Sequence, residues 1–234
     1  LNSLVRFWLA WNIHVLNKDS SEIISKMVSL HCPEIEISNV NVIWHPEPDF
    51  WLLTITCNKK YPADFIRDNL LIQTNVIGAA SAYGVIKFCF LGSACIYPKM
   101  AEVPIKESSL LSGPLEETNI AYAIAKIAGL TMCSKYKEQY GFNAISLMPA
   151  NLYGPKDNFK IEECHVIPAL IRKFTQAKEV NADHVECYGD GTPTREFLHV
   201  EDLADAALYL MRNYHSSDII NVGNGEEGSI KELS

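Results

Sequence analysis

The chain has 234 residues, 48% of them hydrophobic and 21% charged, the balance of a folded globular protein and not of a disordered or fibrous one. Its formal net charge is −8 without any basic cluster, and no apolar run nears the roughly 20 residues of a membrane helix, so neither nucleic acid nor a membrane is an expected partner. The seven cysteines (Cys32, Cys57, Cys89, Cys95, Cys133, Cys164 and Cys187) are odd in number and nowhere spaced C-x-x-C, which points to reduced thiols in a cytoplasmic setting and to neither a disulfide framework nor a metal site.

Residues 1–60 are rich in Trp, Ile, Asn and His and hold no glycine; the first in the chain is Gly78. The opening LNSLVRFWLAWNIHVL has the apolarity of a signal-peptide core but lacks a basic flank and a cleavage site. A start at leucine and an end at IKELS suggest a fragment or an aberrant gene product. SEIISKMVSL (21–30) has serine caps for a helix, and residues 40–44 and 50–56 look like strands separated by the breaker HPEP.

From residue 61 the pattern sharpens. Pro62 opens a helix that Gly84 stops, with an apolar stripe through Ile66, Leu70, Ile77 and Ala80. VIKFCFLG (85–92) is a continuous apolar run of strand length, as in a parallel strand buried on both faces. Residues 119–140 form a second long helix ending at Gly141, and NAISLMPANLYG (143–154) is the next strand. A helix over 165–177 has Pro168 in its first turn; EFLHV (196–200) is a strand, DLADAALYLMRNY a helix and DIINVG (218–223) a strand. This alternation of strand and helix predicts a doubly wound α/β sheet.

Tyr122 and Lys126 lie one turn apart on one face of the second long helix. An ammonium so placed favours the phenolate of a tyrosine whose ordinary pKa is about 10, and it can also hold a ribose hydroxyl. A second literal match, Tyr83 and Lys87, is interrupted by Gly84 and does not share a helix face. Ser93 follows a buried strand at its carboxyl end, where open α/β sheets place their ligands. Ser93, Tyr122 and Lys126 thus gather a hydroxyl, a phenol and an ammonium around one carbonyl, a site suited to hydride transfer; otherwise Ser93 is a turn former. Cys95 reads either as a small buried hydrophobe or as a thiolate base, and His165 as a surface or capping histidine or a general acid. GNGEEG (223–228) is a literal GxGxxG after a strand, but the βαβ unit of a dinucleotide site has no room to follow it, and its two glutamates repel a pyrophosphate; a strand-to-helix turn is expected there.

FLGSACIYPK, PIKESSLLSGPLEETNIAYAIAKIAGL, SLMPANLYGPKDNF, HVIPALIRKF and GDGTPTREFLHVEDLADA together resemble the GDP-L-fucose synthase family of the extended short-chain dehydrogenase/reductase superfamily, over residues 61 to 233. The resemblance implies an incomplete doubly wound, Rossmann-like parallel sheet with a small C-terminal substrate-binding part. It divides the chain into an atypical segment 1–60, a catalytic region 61–155 and a partial substrate-binding region 156–234. It also implies epimerisation of GDP-4-keto-6-deoxy-mannose beside its ketone, then reduction by NADPH. By resemblance, Cys95 is the base, His165 the acid, Tyr122 the proton donor and Ser93 its partner at the ketone oxygen, with Lys126 on the nicotinamide ribose. Leu91, Gly92, Ser93, Ala94, Lys126, Pro149, Ala150, Asn151, Leu152 and His165 would line the cofactor, and Lys173, Tyr188 and Arg195 the GDP-sugar. Ala150 stands where the family usually has threonine, and Tyr188 where it often has tryptophan. The family's glycine-rich turn has no counterpart in residues 1–60, so the pyrophosphate loses its helix N-terminus.

Two other readings stand beside this one. An NDP-sugar 4-epimerase or 4,6-dehydratase would use a tightly held NAD; a dehydratase would carry acidic residues after the active-site serine or threonine, where this chain has Cys95, and Cys95 paired with His165 favours the synthase. A non-catalytic binding or dimerisation module would keep only the two long helices, 62–83 and 120–140, which pair across a homodimer in the superfamily.

Overall fold

A computed structural model describes residues 9–12, 41–44, 50–54 and 62–234 except 162, 163 and 188; the helix expected over 21–30 and Tyr188 lie outside the described residues. The described chain divides into two compact units, residues 1–148 with 207–221, and residues 149–206 with 222–234.

The main sheet has six strands: β1 (Leu9–Asn12), β2 (Asn41–Trp44), β3 (Phe50–Thr54), β4 (Lys87–Leu91), β5 (Ala144–Pro149) and β8 (Ile219–Val222), in the order β2-β3-β1-β4-β5-β8. β4 and β5 pair in parallel, as expected of the buried run at 85–92. β1 joins β4 antiparallel, and β3 and β2 follow, also antiparallel, which departs from a uniformly parallel sheet. For β2 and β3 the reason is length: the connection from Trp44 to Phe50 is far shorter than the dozen or so residues a parallel crossover needs.

Two long helices pack together, α1 (Pro62–Ala82) and α2 (Ile120–Tyr140). Pro62 opens α1 as expected, because its fixed φ suits the first turn and its missing N–H has no partner to lose there. The buried stripe of α1 keeps Ile77 and Ala80 as expected but is otherwise shifted. Ile66 and Leu70 are only half-buried, whereas Asn69, Ile72, Gln73, Val76, Ile77, Ala79 and Ala80 are buried. Counting apolar residues misses a face that carries two amides. The core of the first unit joins Ile72, Val76 and Ile77 of α1, Phe88 and Phe90 of β4, Ile127, Leu130 and Cys133 of α2, and Met148 at the end of β5.

In the second unit β6 (Asn151–Tyr153) pairs in parallel with β7 (Thr194–His199), and β9 (Glu227–Ser229) pairs antiparallel with β7. The single strand expected over 143–154 is therefore two. It breaks at Ala150, whose N–H donates to the Val222 carbonyl at 2.9 Å. α3 (Val166–Glu179) and α4 (Val200–Asn213) match the two later helices expected from sequence, and α5 (Ile230–Leu233) opens with a capping box between Ser229 and Glu232.

GNGEEG turns the chain from β8 into β9, with α5 only after that short strand. Gly225 adopts φ +79, which L-residues rarely take, and its N–H donates to the Glu196 carboxylate at 2.7 Å. Gly223 packs on the same carboxylate with no space for a Cβ. The turn is therefore strand to strand and not strand to helix as expected, and the anion it holds is a side chain of this protein.

Candidate active site

β4 ends at Leu91, and Gly92 continues the ladder by donating its N–H to the Leu147 carbonyl at 2.8 Å. Ser93 is extended and caps a short 3-10 turn, Ala94–Ile96; its Oγ accepts from the Cys95 N–H at 3.2 Å. The turn buries Ile96 and Tyr97 and leaves Cys95 exposed. The exposed thiol sets aside the reading of Cys95 as a buried hydrophobe. Tyr97 anchors the turn from below by donating its hydroxyl proton to Asn221 Oδ1.

Lys126 is buried on α2 and donates from Nζ to the Leu91 carbonyl at 2.6 Å, at the carboxyl end of β4. Its nitrogen lies 5.2 Å from the centroid of the Phe90 ring and 5.6 Å from that of Tyr122. Burial lowers its pKa from 10.5 to about 7, because a desolvated ammonium is costly. Tyr122 is half-buried, and its ring stacks on Phe65 of α1 with centroids 6.0 Å apart. The backbone thus brings Ser93, Cys95, Tyr122 and Lys126 to one end of β4. The Tyr83 and Lys87 match does not share a helix: α1 stops at Ala82, and Lys87 lies in β4 with its ammonium on the carbonyls of Leu210 and Tyr214.

α1 supplies a layer behind the pair that the sequence reading missed. Gln73 donates from Nε2 to the Ala125 carbonyl at 2.6 Å, and Asn69 donates from Nδ2 to the Phe65 carbonyl at 2.7 Å. The only signal for them in the sequence is two amides four residues apart, inside an otherwise apolar stripe.

The remaining candidates belong to the second unit. Asn151 donates from Nδ2 to the Glu196 carbonyl at 3.0 Å, and Leu152 pairs in register with Leu198. His165 is the N-cap residue of α3 by backbone geometry; it is exposed and its side chain makes no capping bond. Lys173 donates to the Glu186 carbonyl at 2.8 Å, and exposed Arg195 to the Thr194 carbonyl at 2.7 Å. An open pocket of about 310 Å³ is lined by Tyr153, Pro155, Phe159, Ile167, Ile171 and His199, among others. Among the described residues no group of His, Cys, Asp or Glu is placed to hold a metal ion, and no helix is long and apolar enough to cross a membrane.

A buried lysine and a tyrosine thus stand together at the carboxyl end of a strand in an α/β sheet, where such sheets place their ligands. Over residues 53–223 the chain matches the NAD dependent epimerase/dehydratase family, and it belongs to that family. Within it, the chain is 59% identical over 181 residues to the probable GDP-L-fucose synthase 1 of Oryza sativa subsp. japonica, covering 77% of this chain and 55% of that one. It is 50% identical over 189 residues to the GDP-L-fucose synthase of Escherichia coli strain K12, covering 77% of this chain and 59% of the other. Among solved structures it is similar to a GDP-L-fucose synthetase from Naegleria fowleri bound to NADP, with TM-score 0.67, 33% identity, and 74% and 55% of the two chains covered. The resemblance read from the motifs and the incomplete Rossmann-like fold are thus both borne out. The chain spans a little over half the length of these relatives.

Proposed function

We propose that this chain carries the catalytic constellation of an NADPH-dependent epimerase-reductase that converts GDP-4-keto-6-deoxy-mannose to GDP-L-fucose. The observation that carries it is the exposed Cys95 thiol on the turn capped by Ser93, at the strand end that also holds Lys126. A dehydratase or 4-epimerase has no need of a thiol there, and the relatives at 50–59% identity are GDP-L-fucose synthases by name.

The ketone at carbon 4 acidifies the C–H bonds at carbons 3 and 5. Cys95 as thiolate takes a proton from such a carbon, and the electron pair moves onto the ketone oxygen as an enolate. Ser93 accepts from the Cys95 N–H, so its single hydroxyl proton is left to donate to that oxygen, beside the Tyr122 phenol. His165 as imidazolium returns a proton to the opposite face. When bound, NADPH supplies hydride to carbon 4. Tyr122 then gives its phenolic proton to the oxygen, and Lys126 holds the ribose and balances the phenolate. Leu91, Gly92, Ala94, Pro149, Ala150, Asn151 and Leu152 would line the cofactor, and Lys173, Tyr188 and Arg195 the GDP-sugar, with Arg195 forking onto the diphosphate.

The nicotinamide side fits the residues present: an ammonium has three donors, and the Leu91 carbonyl accepts from Lys126 at the strand end. The pyrophosphate side has no glycine-rich turn in residues 1–60. The same reading makes 61–155 the catalytic region and 156–234 part of the substrate-binding region, in a reducing, cytoplasmic compartment. It also makes α1 and α2 a homodimer surface, for which exposed Leu71, Ile120 and Ile124 are the apolar material.

Incubation with the keto-sugar and NADPH, followed by product analysis, tests the proposal. GDP-L-fucose is the expected product; a dehydrated sugar or a bare 4-epimer would favour the other nucleotide-sugar readings.

A further inference from the structure

We propose that Phe90 is a positioning residue for the catalytic pair: its ring faces the Lys126 ammonium and fixes it as a charged group at the end of β4. This rests on the assignment of Lys126 to the site, and adds to it a residue that the motifs do not single out.

Phe90 is 1% exposed and sits in β4 opposite Ser146 of β5 and Leu9 of β1, so two neighbouring strands fix its backbone. Lys126 Nζ is 5.2 Å from the ring centroid, within the range where a ring quadrupole attracts a cation, and the attraction is strongest where water is excluded. Lys126 is only 2% exposed. The ring has little freedom to leave. One turn further along α2 stands Gly129, and a Cβ there would overlap Phe90 Cζ. Gln73 closes the same turn from α1: its Nε2 is bonded to the Ala125 carbonyl, and its Oε1 lies 2.8 Å from where that Cβ would be. The phenyl ring is therefore slotted between Lys126 and Gly129, and the glycine is what lets it enter.

Around the ammonium, α2 itself contributes the Tyr122 ring and β4 contributes Phe90 and the Leu91 carbonyl, while Gln73 of α1 bonds the Ala125 carbonyl one residue before Lys126. The ring and the carbonyl dipole both favour the charged form against burial.

The test is a titration of Lys126 in the full chain, followed by NMR of lysine labelled at Cε and assigned by loss of its signal in Lys126→Met. Replacing Phe90 by pentafluorophenylalanine leaves an aromatic ring in place and inverts its quadrupole; Phe90→Leu removes the ring. The Lys126 midpoint, near 7 in the native chain, is expected to fall by about one pH unit with the fluorinated ring and with leucine. An unchanged midpoint with the fluorinated ring overturns the proposal and leaves Phe90 as filling alone. Because the titration needs neither cofactor nor sugar, its outcome is independent of whether the chain reduces a GDP-sugar.

Discussion

Above pH about 7 Lys126 gives up its proton in the folded chain, whereas in the unfolded chain it keeps it to about 10.5. Between those values the unfolded state binds more protons, so this residue makes stability rise with pH across that window. Lys126→Met removes the contribution: the stability difference between variant and native chain, measured by urea unfolding, should shift in the variant's disfavour as pH rises from 7 toward 10. A difference that does not change with pH would mean the ammonium is solvated after all. Cys95 makes a different demand. Cys95→Ser keeps the turn, because the hydroxyl fits where the thiol was, but a hydroxyl is a far weaker base at neutral pH. Epimerisation should slow by two orders of magnitude or so, the size of a general-base contribution, while hydride transfer to a ketone is spared. Equal loss of both steps in product analysis would remove Cys95 from the base role.

At the scale of elements, the α1–α2 contact sets where Tyr122 and Lys126 stand. Gly129→Ala puts a methyl into the Phe90 ring and should cost about 1–3 kcal/mol, as overpacking a filled core does. A thermal melt measures it, and an unchanged midpoint would mean the ring swings aside. Much of this level was legible in the sequence. Pro62, the run at 85–92 and Gly141 each mark an element edge by a local rule, and the structure follows them. Asn69 and Gln73 were not legible, because a buried amide looks in sequence like an exposed one until its partner, the Ala125 carbonyl, is in place. The antiparallel entry of β1 was hidden for a similar reason: strand pairing is a long-range choice that alternating patterns do not record. In sequence GNGEEG reads as a strand-to-helix turn that repels an anion; that its Gly225 N–H instead holds the Glu196 carboxylate depends on β7 lying alongside.

For the whole molecule, half of the constellation was legible as a pattern and the other half came through the resemblance. Tyr122, Lys126 and Ser93 announce themselves by spacing and by position after a strand; His165, Lys173 and Arg195 are single polar residues at a helix cap, on a helix and on the middle strand β7, which no local rule distinguishes. If α1 and α2 form a dimer surface, Leu71→Glu combined with Ile124→Lys should convert a dimer to a monomer in light scattering, with the helical signal kept. A native chain that is already monomeric would contradict the surface. The central claim, that Cys95 and its neighbours remove protons beside a ketone, is tested most directly without any cofactor. The chain is incubated with GDP-4-keto-6-deoxy-mannose in deuterated water, and deuterium at carbons 3 and 5 is followed by NMR. The native chain should exchange both positions and Cys95→Ser should exchange them far more slowly; a native chain that leaves both carbons protonated would contradict the assignment of an epimerase site to these residues.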